Sequence, residues 1–495
     1  MLYFYLILSF ILAIQLLAER LLMLRYLIFL SLFCFASNAI SAQRPNIILL
    51  SVDDLNDWTG CLGGHPQALT PNIDRLAERG TLFANTHCQS PVCNPSRASL
   101  LTGRHPHSSG VYFLAPDLKQ APALQDLETL PERFAKHGYR TMAAGKIFHT
   151  GDRRFFQEYG GNFGGFGPRP EQKISQPHGH PLWDWGAYPA EDGQMPDAKI
   201  AGWAVEKIES LPQQVDQPFF MGVGFYRPHV PMYAPQKWFD LFPRDQIKLP
   251  LVNRVDRDDL SDYAIALTNE EHVSPLHSWV VSAGQWEHAV QSYLASIAFA
   301  DHCVGRVLDA VDRSPHRDNT IIVLFSDHGF HLGEKERWAK RSIWEDGTRV
   351  PLVIVAPGFK RRQRTLKPTQ LLDVFPTLLE LAGLPEDASQ EGHSLVPLIK
   401  DPIRDWDHVA ISSFGRGNYA VRSEHYRYIR YLDQSEELYD HRSDPHEWTN
   451  LANRKELETV IATHRQHLPK AEMPVLPGDS TGHQAYKAAS RYLKP

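Results

Sequence analysis

The chain has 495 residues, 43% hydrophobic and 22% charged, an ordinary globular composition that excludes a disordered polymer and allows a large core with more than one domain. Its 51 Lys and Arg against 57 Asp and Glu leave a formal charge of −6, so nucleic-acid binding is not indicated. A polyanionic ligand would have to be held by a local basic pocket.

Residues 1–42 hold two apolar runs, Leu2–Ala18 and Leu27–Ala36, separated by Glu19, Arg20 and Arg25. The second run has the grammar of a signal peptide: its own methionine, Met23, then Arg25, an apolar stretch, and small residues at Ala39 and Ala42 where a peptidase can cut. The expectation is a true start at Met23, a mature chain from near Ile40 or Gln43, and no stable membrane insertion after cleavage. A membrane anchor needs roughly 20 uninterrupted apolar residues, which the first run meets only marginally. Cys34 follows bulky Phe33, which argues against a lipoprotein cleavage site. Beyond the leader only Cys61, Cys88, Cys93 and Cys303 remain, and no Asn-x-Ser/Thr acceptor occurs, since Asn94 precedes a proline. That combination fits a bacterial periplasmic or secreted protein better than a lysosomal one.

Asn46–Val52 is a β-branched and aliphatic run, predicted as a strand buried on both faces of a parallel sheet, and it ends in Asp53-Asp54. Thr70-Pro71 opens a helix that Gly80 closes. In Cys93–Arg104, Asn94 suits the N-cap, Pro95 the first helical position and Gly103 the C′ position, which predicts a short helix with Cys93 just before its start. Free N–H groups and the positive helix end favour an anion there, and Arg97 can turn back toward the same point. A capping box at Thr129-Leu-Pro-Glu132 opens a further helix that ends at Gly138.

Three more strands then run into polar residues. Tyr139–Ala143 leads to Gly145-Lys146-Ile147-Phe148-His149, Pro218–Gly224 to Tyr226-Arg227-Pro228-His229, and Thr320–Phe325 to Ser326-Asp327-His328-Gly329. Ligands of open parallel sheets bind beyond the carboxyl ends of the strands, so four such ends can assemble one site. Two irregular insertions, Gly160–Pro189 and Leu249–Ser282, are read as walls of the pocket. Helices are expected from about Trp286 to Asp312 and over Leu371–Ala382, the latter starting as late as Pro376. After about Lys400 short polar strands follow at Tyr419–Arg422, Tyr426–Tyr431 and Glu436–Tyr439, then a turn at Asp444-Pro445 and a final helix over Arg454–His467.

Asp53, Asp54 and Asp327 offer hard oxygen donors from two strand ends, suited to calcium or magnesium. Taken singly, Lys146 and Lys340 are equally readable as solvated lysines, and most of the 24 histidines are not catalytic.

The stretch Cys93-x-Pro-Ser-Arg-x-x-Leu-x-Thr-Gly-Arg104 closely resembles the sulfatase signature, and the ending Leu-Tyr-Asp, Asp-Pro, Asn-Leu up to about Ala452 resembles that family's C-terminal subdomain. The resemblance implies an α/β, alkaline-phosphatase-like fold: a large mixed, mostly parallel sheet sandwiched by helices, with a small C-terminal antiparallel sheet. It implies a leader over 1–42, a catalytic domain over 43–400 and a C-terminal subdomain over 401–495. It further implies that a formylglycine-generating maturation enzyme converts Cys93 to formylglycine (3-oxoalanine), and that one calcium ion is held by Asp53, Asp54, Cys93, Asp327 and His328. In the chemistry so implied, one hydroxyl of hydrated formylglycine attacks sulfur, with Arg97 and Lys146 orienting it. His149 takes a proton from the other hydroxyl as sulfate leaves, while His229 and Lys340 contact the sulfate and assist the leaving oxygen. Gly-Lys146-x-x-His149, Arg-Pro-His229-x-Pro and Trp338-Ala-Lys340 resemble iduronate-2-sulfatase-like members, as does His328, although imidazole is an unusual calcium ligand. His331, Trp338 and Arg341 stand as substrate-side residues. The implied function is hydrolysis of sulfate esters of a carbohydrate. A phosphonate or phosphate monoester hydrolase on the same fold and a glycan-binding pseudoenzyme remain the alternatives.

Overall fold

The computed structural model describes residues 2–36, 44–212, 217–268 and 272–493, the main chain alone being described over 26–36. Two compact units are present, Met1–Arg44 and Pro45–Pro495. In the first, Leu2–Ala36 is one helix, and its segment Leu2–Arg25, 24 residues, is by length and composition apolar enough to cross a membrane. That segment carries Glu19, Arg20 and Arg25, so although helical throughout it is not an uninterrupted apolar run. A helix of this kind near an N-terminus equally suits a signal sequence. The cleavage positions Ala39 and Ala42, with Ile40 and Gln43, lie outside the described residues.

The second unit is built on an eight-stranded sheet. Its strands, in chain order, are β1 (Asn46–Val52), β2 (Thr81–Phe83), β3 (Arg140–Gly145), β4 (Glu158–Tyr159), β5 (Phe219–Phe225), β6 (Thr320–Ser326), β7 (Leu352–Val355) and β8 (Gln363–Thr365). They lie in the order β8-β2-β7-β6-β1-β5-β3-β4, all parallel except β7, which runs against both of its neighbours. Every residue of β1 is buried, and the pleat sends alternate side chains to two cores. Ile48, Leu50 and Val52 join the core that contains the helices α2 (Pro196–Glu209) and α3 (Trp286–Arg313), whereas Ile47 and Leu49 join Leu100, Leu101, Phe375 and Leu378. The sheet is thus an α/β sandwich, and β1 at its centre is apolar throughout because it has no solvent face.

Cys93 lies on a helix of its own, α1 (Cys93–Thr102), all ten residues of which are buried. Gly103 closes it in the left-handed region (φ 69°), donating its N–H to Ser99 O at 2.7 Å, as predicted. The start differs. Val92 is the N-cap and Cys93 the first helical residue, while the Asn94 side chain donates to Phe113 O and Pro116 O, each at 2.9 Å. Long-range partners outcompete local capping at Asn94.

The capping box at Thr129 forms, with Glu132 Oε2 accepting from Thr129 N and Oγ1 at 2.8 and 2.6 Å. The helix expected from Leu371 opens with a 3₁₀ turn, Leu371–Asp373, and continues as Val374–Leu381. The Leu249–Ser282 insertion is not wholly irregular, since it holds helices Asp262–Thr268 and His277–Ser282. At the C-terminal end Ala410–Ser413, Tyr419–Arg422, Tyr426–Arg430 and Glu436–Asp440 form a four-stranded antiparallel meander. The helix expected over Arg454–His467 narrows to Glu458–Arg465, and a further helix, Thr481–Ala489, had no clear sequence signal. The meander docks through a buried ion cluster in which Arg427 meets Glu345 at 2.5 Å and Glu447 at 2.6 Å. Removing one member of such a cluster costs about 3–5 kcal/mol, because it leaves a buried charge uncompensated. Cys61, Cys88, Cys93 and Cys303 are all free thiols.

Candidate active site

Four strand ends converge as the parallel topology requires. Beyond β1, Asp53 N still donates to Phe225 O at 3.1 Å, and Asp54 then turns through the left-handed region (φ 63°), which a short polar side chain tolerates. Its N–H donates to Asp327 Oδ1 at 3.2 Å, tying the ends of β1 and β6 together. The ends of β3 and β5 approach closely where Gly145 faces Gly224. A Cβ on Gly145 would lie 1.9 Å from Gly224 O, so only glycine fits, and Lys146 N donates to Gly224 O at 3.0 Å. Beyond β5, buried Asp197 accepts the N–H groups of Tyr226 and Arg227, both at 2.8 Å, and so sets the turn that leads to His229.

Beneath these ends runs the Arg97 guanidinium, only 1% exposed. It donates to Asp327 Oδ2 at 2.9 Å, Asp53 Oδ1 at 3.1 Å, Ser51 Oγ at 3.0 Å, and the carbonyls of Lys146 and Ile147 at 2.7 and 2.9 Å. The sequence reading aimed Arg97 at the Cys93 position. Its hydrogen bonds instead lock the carboxylates that surround that position.

The sequence-predicted residues meet around Cys93. His328 Nε2 stands 3.2 Å from Cys93 Sγ, 3.3 Å from Asp54 Oδ1 and 3.5 Å from Asp327 Oδ2. Lys146 Nζ donates to Asp53 Oδ2 at 2.6 Å, and Lys340 Nζ to both Asp54 oxygens at 2.7 and 2.8 Å. His229 Nδ1 is 2.6 Å from Val230 O, which leaves Nε2 facing Asp54 Oδ2 at 3.8 Å. Burial would raise the Cys93 thiol, but Lys146, Lys340, His328 and a hydrogen bond with His149 hold it well below the ordinary thiol value. Burial likewise works to raise Asp53, yet Lys146 and then Arg97 keep it far below the carboxylate range. His149 is pushed down by burial, with the hydrogen bond to Cys93 only partly opposing.

Donor atoms of Asp53, Cys93, Asp327 and His328 lie within 4.8 Å of one another, as do those of Asp53, Asp54, Cys93 and His229. Three carboxylates are a donor set that fits a hard divalent cation, and the imidazole is its least typical member.

Above this floor opens a cavity of about 380 Å³. Cys93, Lys146, His149, His229, Lys340 and Arg341 line it, as do Phe166, His180, Leu182 and Trp183 from the first insertion and Val273 from the second. The insertions thus form walls, as expected. Trp338 does not line the cavity: it is 1% exposed, stacked on Trp185 and donating to His277 Nδ1 at 3.2 Å. His331 is buried away from the cavity as well. Sequence reasoning missed Asp479, Ser480 and Thr481, which line it from the C-terminal tail, where Arg341 Nη2 donates to Thr481 Oγ1 at 2.5 Å. It also missed Asp152, which accepts from Ile147 N and Phe148 N at 3.0 and 2.8 Å and so shapes the Lys146–His149 loop. The Asp after the Gly-Lys-x-x-His stretch was the available signal for Asp152, and the tail offered none.

The sulfatase family model matches residues 45–384, more than half of the chain. This chain belongs to the sulfatase family. A second model, described as the C-terminal part of N-sulphoglucosamine sulphohydrolase, matches residues 333–473. Among relatives, a protein of Formosa agariphila named sulfatase is 40% identical, with 86% of this chain and 87% of the relative covered. Iduronate 2-sulfatase of Mus musculus is 31% identical over 73% of this chain and 74% of its own length. The phosphonate monoester hydrolase structure of Agrobacterium radiobacter shares the fold with a TM-score of 0.70 at 21% identity, covering 86% and 95% of the two chains. The 40% relative carries only the family name, so the narrower iduronate-2-sulfatase likeness is one among several. The protein is a sulfatase-family hydrolase acting on sulfate esters.

If the carboxylates at the strand ends share a divalent cation, removing it from this sulfatase should abolish activity and lower Tm, and adding it back should restore both. Full activity and an unchanged Tm in a fully demetallated sample would exclude this site as a cation site.

Proposed function

We propose that this protein is an exported, calcium-dependent sulfatase that removes sulfate from a carbohydrate, a sulfated polysaccharide or its oligosaccharides, with formylglycine formed at Cys93. The observation that carries the proposal is a pair of overlapping donor groups, Asp53, Cys93, Asp327 and His328, and Asp53, Asp54, Cys93 and His229, beside a cavity that Cys93, Lys146, His149, His229 and Lys340 line. Asp53, Asp54, Asp327 and His328, with position 93, would hold calcium, which when bound neutralises sulfate charge. A hydrated aldehyde formed at position 93 would supply an attacking hydroxyl and a second one for release of sulfate.

The remaining work falls to side chains. Arg97 positions Asp53 and Asp327 from below. Lys146 sits beside position 93 and favours its anionic form. His149, beside position 93, accepts the proton there. Lys340 faces the sulfate oxygens, and His229, its Nδ1 engaged by Val230 O, presents Nε2 to the leaving oxygen. Arg341 with the aromatic walls Phe166 and Trp183 suits an anionic sugar. The single apolar N-terminal helix and the bacterial relatives, which include a sulfatase described as ulvan-active, support a periplasmic or secreted location. We assign residues 43–400 to catalysis and 401–495 to the C-terminal subdomain that closes the pocket.

The purified protein should hydrolyse members of a panel of sulfated oligosaccharides far faster than matched phosphate esters. Comparable or faster phosphate ester hydrolysis would favour the phosphonate or phosphate monoester hydrolase reading, and inactivity of correctly matured protein on every ester would favour a glycan-binding role. Within the sulfatase reading, His229→Ala should reduce kcat on a sulfated sugar by about 10²-fold or more, as expected for loss of a general acid. The loss on nitrophenyl sulfate should be much smaller, because an aryl oxide leaves without a proton. Equal losses on the two substrates would show that His229 only binds sulfate.

A further inference from the structure

We propose that His331, Glu334 and Asp346 form a second cation site, distinct from the one at Cys93, suited to a divalent transition metal such as zinc. Donor atoms of the three residues all lie within 4.8 Å of one another. Donors of a tetrahedral zinc stand roughly 3.3 Å apart, so only a small closure is needed. One imidazole nitrogen with two carboxylate oxygens is a three-ligand zinc set that leaves a fourth position to water.

The decisive member is His331. Its side chain is fully buried, and Nε2 is engaged by Ser342 Oγ at 2.6 Å. With Nε2 donating to Ser342, Nδ1 keeps its lone pair, the arrangement that a supporting hydrogen bond gives a metal-binding histidine. Nδ1 has no partner of good hydrogen-bond geometry, only a marginal contact with the Glu334 main chain, and stands 3.8 Å from Asp346 Oδ2, too far for a hydrogen bond. A buried ring nitrogen left open toward two carboxylates asks for a ligand, since an unsatisfied buried polar atom costs about 1–3 kcal/mol.

The charge pattern agrees. Burial pushes the Glu334 carboxyl up to about 7, with Asp57 adding to the effect, so a second negative group beside it is costly without a counter-ion. Two of the cations in this region have partners outside the group: Lys335 Nζ donates to Glu447 O at 2.5 Å and Arg349 to Asp57 Oδ2 at 3.1 Å. Asp346 keeps 39% of its side chain exposed, which provides a path for an ion.

The site has a structural use. His331 pairs with Ala339 in the hairpin that precedes Lys340, Glu334 accepts from Leu332 N at 2.6 Å, and Asp346 belongs to the short helix Glu345–Thr348. Around Lys340 the chain is strained: Lys335, Glu336, Ala339 and Arg341 all have positive φ, at 50°, 53°, 84° and 73°. An ion joining the hairpin to that helix would hold this strained segment, and with it Lys340, in place.

The test is equilibrium dialysis of calcium-saturated protein against zinc, followed by elemental analysis and melting. Wild type should bind one zinc per chain beyond its calcium and melt at a higher temperature. Asp346→Asn and Glu334→Gln should lose the zinc and the rise in Tm while keeping their calcium. Asp346 is part-exposed, so its variant is expected to fold even if Glu334→Gln does not. No zinc bound by wild type, meaning that the two carboxyls share a proton instead, would overturn the proposal, as would undiminished zinc in folded Asp346→Asn.

Discussion

The site depends on one buried guanidinium. Arg97 projects from α1 into the gap between the ends of β1, β3 and β6, where it bonds the carboxylates of Asp53 and Asp327 and the carbonyls that follow β3. A buried arginine is tolerable only when its donors are satisfied, and those carboxylates are tolerable at such depth only beside a fixed cation. Each group makes the others possible. The helix that carries Cys93 is thereby locked to three strand ends, and Ser96 adds a bond to Asp327 O at 2.5 Å. The position of Cys93 follows from this lock and not from the helix alone.

A second layer of cations completes the arrangement. Lys146 holds Asp53 and Lys340 holds Asp54, each from a different part of the chain. Their combined field outweighs burial at Cys93 and depresses its thiol, so the environment favours negative charge where an anion must form. The same field suits a sulfate group above it, although the whole protein is acidic. Charge at the site is local, as the overall balance of −6 requires.

Much of this was legible in the sequence. The strands that lead to Asp53, Lys146, His229 and Asp327 were marked by apolar runs ending in polar residues, and each was found within a residue or two of its expected bounds. Parallel-sheet logic then brought those ends together. Local rules failed where distant partners intervened. Asn94 looks like an N-cap but serves Phe113 and Pro116, and Arg97 looks aimed at Cys93 but is drawn beneath it by two carboxylates remote in sequence. Trp338 looked like a substrate contact because of its place beside Lys340, yet its indole packs into a cluster of Trp185 and His277 that no spacing reveals. The tail residues Asp479–Thr481 reach the cavity only through packing of Ala489 and Tyr486 in a core shared with Phe113 and Tyr263, a tertiary fact without a local signal.

The central claim is that Cys93 is the precursor of the nucleophile and not the nucleophile itself. A thiol can take up a sulfuryl group but has no second hydroxyl through which to expel it, whereas a hydrated aldehyde has one and can turn over repeatedly. Peptide mass spectrometry of fully active protein tests this most directly. The account predicts that residue 93 has lost its sulfur and carries an aldehyde in proportion to specific activity. An unmodified Cys93 thiol at full specific activity would contradict it.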